Sequence, residues 1–162
     1  GSYELLRRCV DASGLPAIAK EFVVDPVQLR WAQDAGASAV LLIAALYDAA
    51  TLRSLAVEAR RLGLVPLVEV HDTDELARLE GSTWELVGVN NRDLRTFRVD
   101  LDTSRALLPL LPTGALCVAE SGIHRGDDLR SLAVAGFDAF LIGESLLLAD
   151  DPAAKLQELR GA

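Results

Sequence analysis

The sequence predicts an α/β fold in which parallel strands alternate with amphipathic helices, and three observations carry that expectation. Apolar runs of strand length recur along the chain without polar alternation, as in strands buried on both faces. Stretches of helical period separate them, giving about six strand–helix units of roughly 20–30 residues, the signature of right-handed parallel crossovers. A polar residue stands at the C-terminal end of most runs, namely Lys20, Glu69, Asn90 and Glu120, and a ring of such residues is how a barrel active site is built. An open doubly wound sheet is the alternative, and a length of 162 residues favours it over a closed barrel. Against the open sheet, no G-x-G-x-x-G follows the first strand, and no G-x-x-x-x-G-K-[ST] occurs.

The elements follow in order. A first helix over Tyr3–Ala12 has no strand in front of it. A strand over Leu15–Ala19 leads to a helix over Pro26–Ala35, with Asp25 as N-cap, proline at the first helical position and Gly36 at the end. A strand over Ala39–Ala44 precedes a helix over Asp48–Leu62 that stops at Gly63. The strand Val65–Val70 is followed by Asp72, an N-cap for Thr73–Leu79. The strand Leu86–Val89 precedes a helix over Asp102–Leu111 that Pro112 ends. Leu116–Ala119 precedes a helix over Asp127–Ala135 ending at Gly136, and Ala139–Ile142 precedes a last helix over Pro152–Arg160. No low-complexity linker or composition break divides the chain, so one domain over 1–162 is expected.

Composition excludes several functions. Hydrophobic residues make up 51% and charged residues 25%, enough for a substantial core and unlike a disordered chain. The net charge of −8 repels polyanions, so neither nucleic acid nor an anionic membrane is an expected partner. A phosphorylated ligand must then be held by local donors. Cys9 and Cys117 are the only cysteines, and no disulfide framework is expected. The longest apolar stretch is too short to span a bilayer and no secretory signal is visible, which leaves the cytoplasm as the default location.

The candidate chemistry lies at the strand ends. Lys20 emerges where a buried strand meets its loop and suits a general acid, against a solvated lysine that simply ends a strand as the plain alternative. Glu69 is a carboxylate inside an apolar strand, a costly placement unless it is paired or faces a cavity. On neighbouring strands the two would form an acid/base pair. Asn90 suits a hydrogen bond to a substrate hydroxyl and Arg92 a bidentate grip on a carboxylate or phosphate, against an Asx-turn and a surface arginine as the plain alternative. Glu120-Ser121-Gly122-Ile123 and Ile142-Gly143-Glu144-Ser145 end the last two strands; each alone reads equally as turn chemistry, but together their glycines favour main-chain N–H groups that cup a phosphate. Phe22 suits stacking on an aromatic ring, with core packing equally open. Trp31 and Trp84 read as packing residues. His71 has no convincing metal-ligating company, so no metal is expected.

Six blocks occurring in order carry a family resemblance: Lys20-Glu21-Phe22-Val23-Val24-Asp25-Pro26, Ala39–Ala45, Leu67-Val68-Glu69-Val70-His71-Asp72, Gly88-Val89-Asn90-Asn91-Arg92-Asp93-Leu94, Glu120-Ser121-Gly122-Ile123 and Ile142-Gly143-Glu144-Ser145-Leu146. Through them the chain resembles the indole-3-glycerol phosphate synthases from about Gly1 to Leu159. The resemblance implies a (β/α)8 TIM barrel of the ribulose-phosphate-binding type. It also implies conversion of 1-(2-carboxyphenylamino)-1-deoxyribulose 5-phosphate to indole-3-glycerol phosphate with release of carbon dioxide and water, in tryptophan biosynthesis. On that likeness Lys20, Glu69 and Asn90 are catalytic; Phe22, Arg92, Glu120 and Ser121 bind substrate; and Gly122, Gly143 and Glu144 hold phosphate. No cofactor is implied.

Two departures stand out. Glu21 replaces the family's usual aspartate, and nothing here matches the family's first two βα units, which carry a Glu-Ile-Lys motif and further catalytic and phosphate-binding groups. The chain is therefore expected to be an incomplete barrel of about six βα units, the third to the eighth, preceded by the second helix. Impaired turnover and self-association through open sheet edges are expected consequences. A catalytically silent phosphate-binding unit, or another sugar-phosphate barrel such as an isomerase, are the alternatives.

Overall fold

A computed structural model describes residues 1–161; Ala162, the last residue of the span assigned to the domain, lies outside the described residues. Six parallel strands form one sheet in sequence order: β1 (Ile18–Ala19), β2 (Ala39–Ile43), β3 (Val65–Val70), β4 (Leu86–Asn90), β5 (Leu116–Glu120) and β6 (Ala139–Leu141). Each strand pairs with the next in the chain, the order a barrel wall requires and a doubly wound sheet does not show. The sheet curls as part of a barrel. Among the described residues β1 pairs only with β2 and β6 only with β5, so both outer edges of the described sheet are open.

The helices α1 (Tyr3–Ser13), α2 (Val27–Asp34), α3 (Ala49–Arg61), α4 (Thr73–Ala77), α5 (Asp102–Leu107), α6 (Gly126–Ala135), α7 (Glu144–Leu147) and α8 (Pro152–Arg160) complete the chain. Residues of one parity on the strands, Val40, Leu42, Val68, Val70, Val87, Val89 and Ala119, pack with helical Leu29, Ala32, Leu52, Ala56, Leu76, Leu107 and Leu132 in the main core. Burying one such leucine contributes about 1.5–3 kcal/mol. Residues of the other parity, Leu41, Ile43, Leu67 and Val118, form a smaller apolar layer on the concave face. Both layers explain why the strands read as unbroken apolar runs.

The boundaries depart from the sequence reading where local chemistry intervenes. β1 is only two residues long and follows Pro16, which has no N–H for a ladder. The helix expected from Pro26 begins at Val27; Asp25 Oδ1 accepts its N–H at 2.8 Å, and Gln28 Oε1 reaches back to the Asp25 N–H at 3.0 Å. α5 ends at Leu107 and continues as a 3-10 turn over Leu108–Leu110, because Pro109 breaks the helical ladder. A 3-10 turn over Ala44–Leu46 and the short α7 were not foreseen. Asp48 and Asp72 cap α3 and α4, accepting the N–H groups of Thr51 and Glu75. Trp84 is buried with its indole N–H on the Leu79 carbonyl at 2.8 Å, and Trp31 meets Tyr3 edge-on at 5.8 Å, both packing roles. Among the described residues, no helix is long and apolar enough to cross a membrane.

Candidate active site

Strand register decides which side chains meet. Glu69 on β3 lies opposite Ile43 and Gly88, and Asn90 on β4 lies opposite Glu120 on β5. With Lys20 just after β1, all four polar strand-end residues share the parity of the concave apolar layer, so they converge on one mouth. The Lys20 ammonium stands 3.4 Å from Glu69 Oε2 and 3.7 Å from Glu120 Oε2. Asn90 Nδ2 donates to Glu69 Oε1 at 3.1 Å. Lys20 is half-exposed, whereas both carboxyl groups are buried on the apolar layer beneath them.

That burial separates the roles of the two carboxyls. Glu120 is pushed up to about 8, first by burial and then by the neighbouring Glu69 carboxylate, with Lys20 pulling the other way. Its surroundings therefore favour the neutral, protonated form. Among the described residues neither of its oxygens has a hydrogen-bond partner, the Lys20 ammonium lying 3.7 Å from Oε2. Space for Glu120 comes from Gly88: a Cβ there would sit 2.1 Å from Glu120 Oε1.

Beside this cluster is a cavity of about 250 Å³, lined by Lys20, Arg92, Glu120, Ser121, Gly122, Ile123 and the loop Ile142–Ser145. Ser121 and Gly122 both adopt the left-handed conformation, with φ of 64° and 78°. Serine rarely holds that conformation, and here it turns the backbone after β5 sharply around the cavity. Ser145 Oγ donates to the Ile123 carbonyl at 2.9 Å and ties the two glycine-containing loops together. The two segments expected to cup a phosphate thus form one wall. Arg92 reaches across this cavity to an ion pair with the Glu144 carboxylate.

Most of the expected residues are brought together. Asn90 and Arg92 serve both readings offered by the sequence: Asn90 Oδ1 accepts the Arg92 N–H at 3.0 Å in an Asx-type turn, while its amide holds Glu69 and Arg92 lines the cavity. Phe22 is the exception. At 53% exposed on the loop after Lys20, it neither packs in the core nor lines the cavity.

Asn91, His71 and Glu75 hold places in the site that the sequence reading does not assign to them. Asn91 is buried and donates to the carbonyls of Glu120 and Ser121 at 3.0 and 3.1 Å, while accepting the Ser104 N–H, which locks β4, the β5 turn and α5 together. His71 lies between Glu69 and Glu75, its Nε2 3.3 Å from Glu69 Oε1 and its Nδ1 3.0 Å from Glu75 Oε2. The i,i+4 spacing of His71 and Glu75 is visible in the sequence and was the available signal.

Comparison with known proteins agrees with this geometry. Among solved structures, 3-hexulose-6-phosphate synthase from Salmonella typhimurium superposes with a TM-score of 0.84 at 18% identity, covering 98% of this chain and 78% of that one. KGPDC from Streptococcus mutans gives 0.73 at 14% identity, covering 98% and 77%. At such identities the likeness establishes the fold, an incomplete (β/α) barrel. By sequence, the chain is 48% identical over 161 residues to an indole-3-glycerol phosphate synthase of Koribacter versatilis (strain Ellin345), covering 99% of this chain and 62% of the relative. It is 44% identical to that of Albidiferax ferrireducens and 43% identical to that of Bordetella pertussis, spanning 60% and 61% of their lengths. The family model described as indole-3-glycerol phosphate synthase matches residues 1–159, so the chain belongs to the indole-3-glycerol phosphate synthase family.

Proposed function

We propose that this chain carries the acid/base and phosphate-holding part of an indole-3-glycerol phosphate synthase, a carboxy-lyase of tryptophan biosynthesis in the cytoplasm. The substrate is 1-(2-carboxyphenylamino)-1-deoxyribulose 5-phosphate. Ring closure joins the aromatic carbon bearing the carboxylate to the ribulose carbonyl carbon, loss of carbon dioxide from that carbon restores the benzene ring, and the new hydroxyl then leaves as water with removal of a proton from the neighbouring nitrogen-bearing carbon, completing the indole. The observation that carries this reading is the Lys20 ammonium held between Glu69 and Glu120 at the rim of the cavity.

In this scheme Lys20 donates a proton to the carbonyl oxygen as the new bond forms, and its half-exposed position lets it regain one from solvent. Glu69 is the acid/base group of dehydration and rearomatisation, oriented by Asn90. Neutral Glu120 donates a hydrogen bond without adding charge beside the anionic substrate. Backbone groups of Gly122, Gly143 and Glu144 surround the phosphate with Ser121 beside them, and Arg92 offsets its charge. Phe22 would cover the aromatic ring from the rim of the loop. The scheme uses proton transfer and anion binding by the chain's own residues, with no cofactor.

The assay is the fluorescence of indole-3-glycerol phosphate formed by the chain from the carboxyphenylamino substrate. Turnover that Lys20→Ala and Glu69→Gln both abolish supports the reading; turnover indifferent to both substitutions overturns it. The open edges at β1 and β6 favour a second reading, a silent phosphate-binding unit that self-associates through them. Phosphate-ligand stabilisation without turnover would identify that unit. Turnover of a ribosyl phosphate lacking the carboxyphenyl group would instead indicate a sugar-phosphate isomerase.

A further inference from the structure

Glu69 has a second side. Its Oε2 faces Lys20 in the mouth, while its Oε1 faces His71, whose side chain is only 12% exposed. Glu75 holds His71 twice: Oε2 accepts the backbone N–H at 2.9 Å and lies 3.0 Å from Nδ1. A carboxylate accepts hydrogen bonds, so Nδ1 carries a proton and Nε2 is the nitrogen turned to Glu69. Nε2 is buried without a hydrogen-bond partner of good geometry, although Glu69 Oε1 is 3.3 Å away. A carboxylate, an imidazole and the acid/base carboxylate are thus aligned in one row.

We propose that His71, anchored by Glu75, is a positioning residue that fixes the orientation of Glu69. The inference rests on Glu69 being the acid/base group of the reaction. With Nδ1 protonated, a neutral ring presents a lone pair to Glu69 Oε1 and repels its ionised form. An imidazolium presents an N–H and holds that form in place.

The surroundings favour the charged ring. Burial pulls His71 down, but the hydrogen bond to Glu75 and the charges of Glu69, Glu75 and Asp72 outweigh it and raise His71 above its ordinary value. His71 also lines a second cavity of about 500 Å³, where Asp93, Arg95, Arg98 and Asp100 face it from the segment after β4. That cavity gives the imidazole a route to solvent when substrate fills the mouth.

Nitrogen–proton correlation spectra of the imidazoles test this in the intact 162-residue chain, which has two histidines, His71 and the exposed His124. The neutral His71 ring should be the Nδ1-protonated tautomer, and its midpoint should lie above 6.5. Glu75→Gln and Glu69→Gln, both isosteric, should each lower that midpoint. An Nε2-protonated neutral ring, or a midpoint that neither substitution moves, overturns the proposal. In turnover, Glu75→Gln should move the alkaline limb of the kcat profile to lower pH and leave KM within about twofold. An unmoved limb, with only a lower Tm, would make His71 merely structural and overturn it. Absence of turnover in the unsubstituted chain bears on the reaction assignment alone; tautomer and midpoint decide this inference by themselves.

Discussion

Replacing Glu120 by glutamine removes a carboxyl that the fold holds neutral, and the consequence for stability depends on pH in a calculable way. Glu120 is 1% exposed, with its value pushed from an ordinary 4.5 to about 8. At 1.36 kcal/mol per pH unit, that difference is roughly 5 kcal/mol between the two protonation states. The sign follows from proton binding. The folded chain holds the Glu120 proton more tightly than the unfolded chain, so stability from this group is fully present below pH 4.5 and is lost as pH rises to about 8. Glutamine does not titrate and keeps the shape. The difference in unfolding free energy, Glu120→Gln minus wild type, should therefore climb by roughly 3–5 kcal/mol between pH 5 and pH 9. That is a large share of the 5–15 kcal/mol typical of a domain. His71, also raised, contributes stability present below its ordinary value and lost above its folded one, but it is common to both proteins and cancels. Urea unfolding of both proteins across this range measures the difference. A flat difference would mean that Glu120 ionises freely, and the argument from its burial would be refuted.

Further expectations follow from the packing around the mouth. Gly88→Ala would place a Cβ 2.1 Å from Glu120 Oε1 and 3.3 Å from Leu67 Cδ1, displacing the carboxyl; a loss of about 1–3 kcal/mol by thermal unfolding and a fall in turnover are expected. Asn91→Ala would take a partner from the Ser121 carbonyl and from the buried Ser104 N–H, while the Glu120 carbonyl keeps the residue-91 backbone N–H, costing about 1–3 kcal/mol by denaturant titration. Sedimentation of the chain should show self-association through β1 and β6; a stable, well-folded monomer would rule that out.

What the sequence made legible follows from what each signal depends on. β3 was read residue for residue as Val65–Val70 because an apolar run between Gly63 and the Asp72 cap has one interpretation. Glu69 stood out because a carboxylate in such a run is costly. The partition of roles between Glu69 and Glu120 was not legible, since it depends on register: Glu120 is raised by a carboxylate 51 positions earlier that only the sheet brings near. The sequence shows no metal-ligating company for His71, and its partners are carboxylates on the strand before it and the helix after it. Asn91 read as part of a turn because its three partners lie on β5, its turn and α5.

The parity of the strands explains why a partial wall still assembles this site. Side chains alternate between faces, so a one-residue slip of β4 would turn Asn90 outward and bring Val89 to the mouth. The apolar layer of Leu41, Ile43, Leu67 and Val118 resists that slip, because it would send the same strand's Gly88 away from Glu120 and crowd a larger side chain against it. The packing that fixes the register is therefore also the low-dielectric floor that keeps Glu120 protonated. Fold and acid/base chemistry depend on one surface. Each strand needed for that surface, from β2 through β5, has neighbours on both sides, while the unpaired edges fall on β1 and β6. Loosening of the edges should consequently reach Lys20 and the Ile142–Ser145 loop before it reaches Glu69, Asn90 or Glu120, and affinity for the phosphorylated ligand should fail ahead of the carboxyl pair.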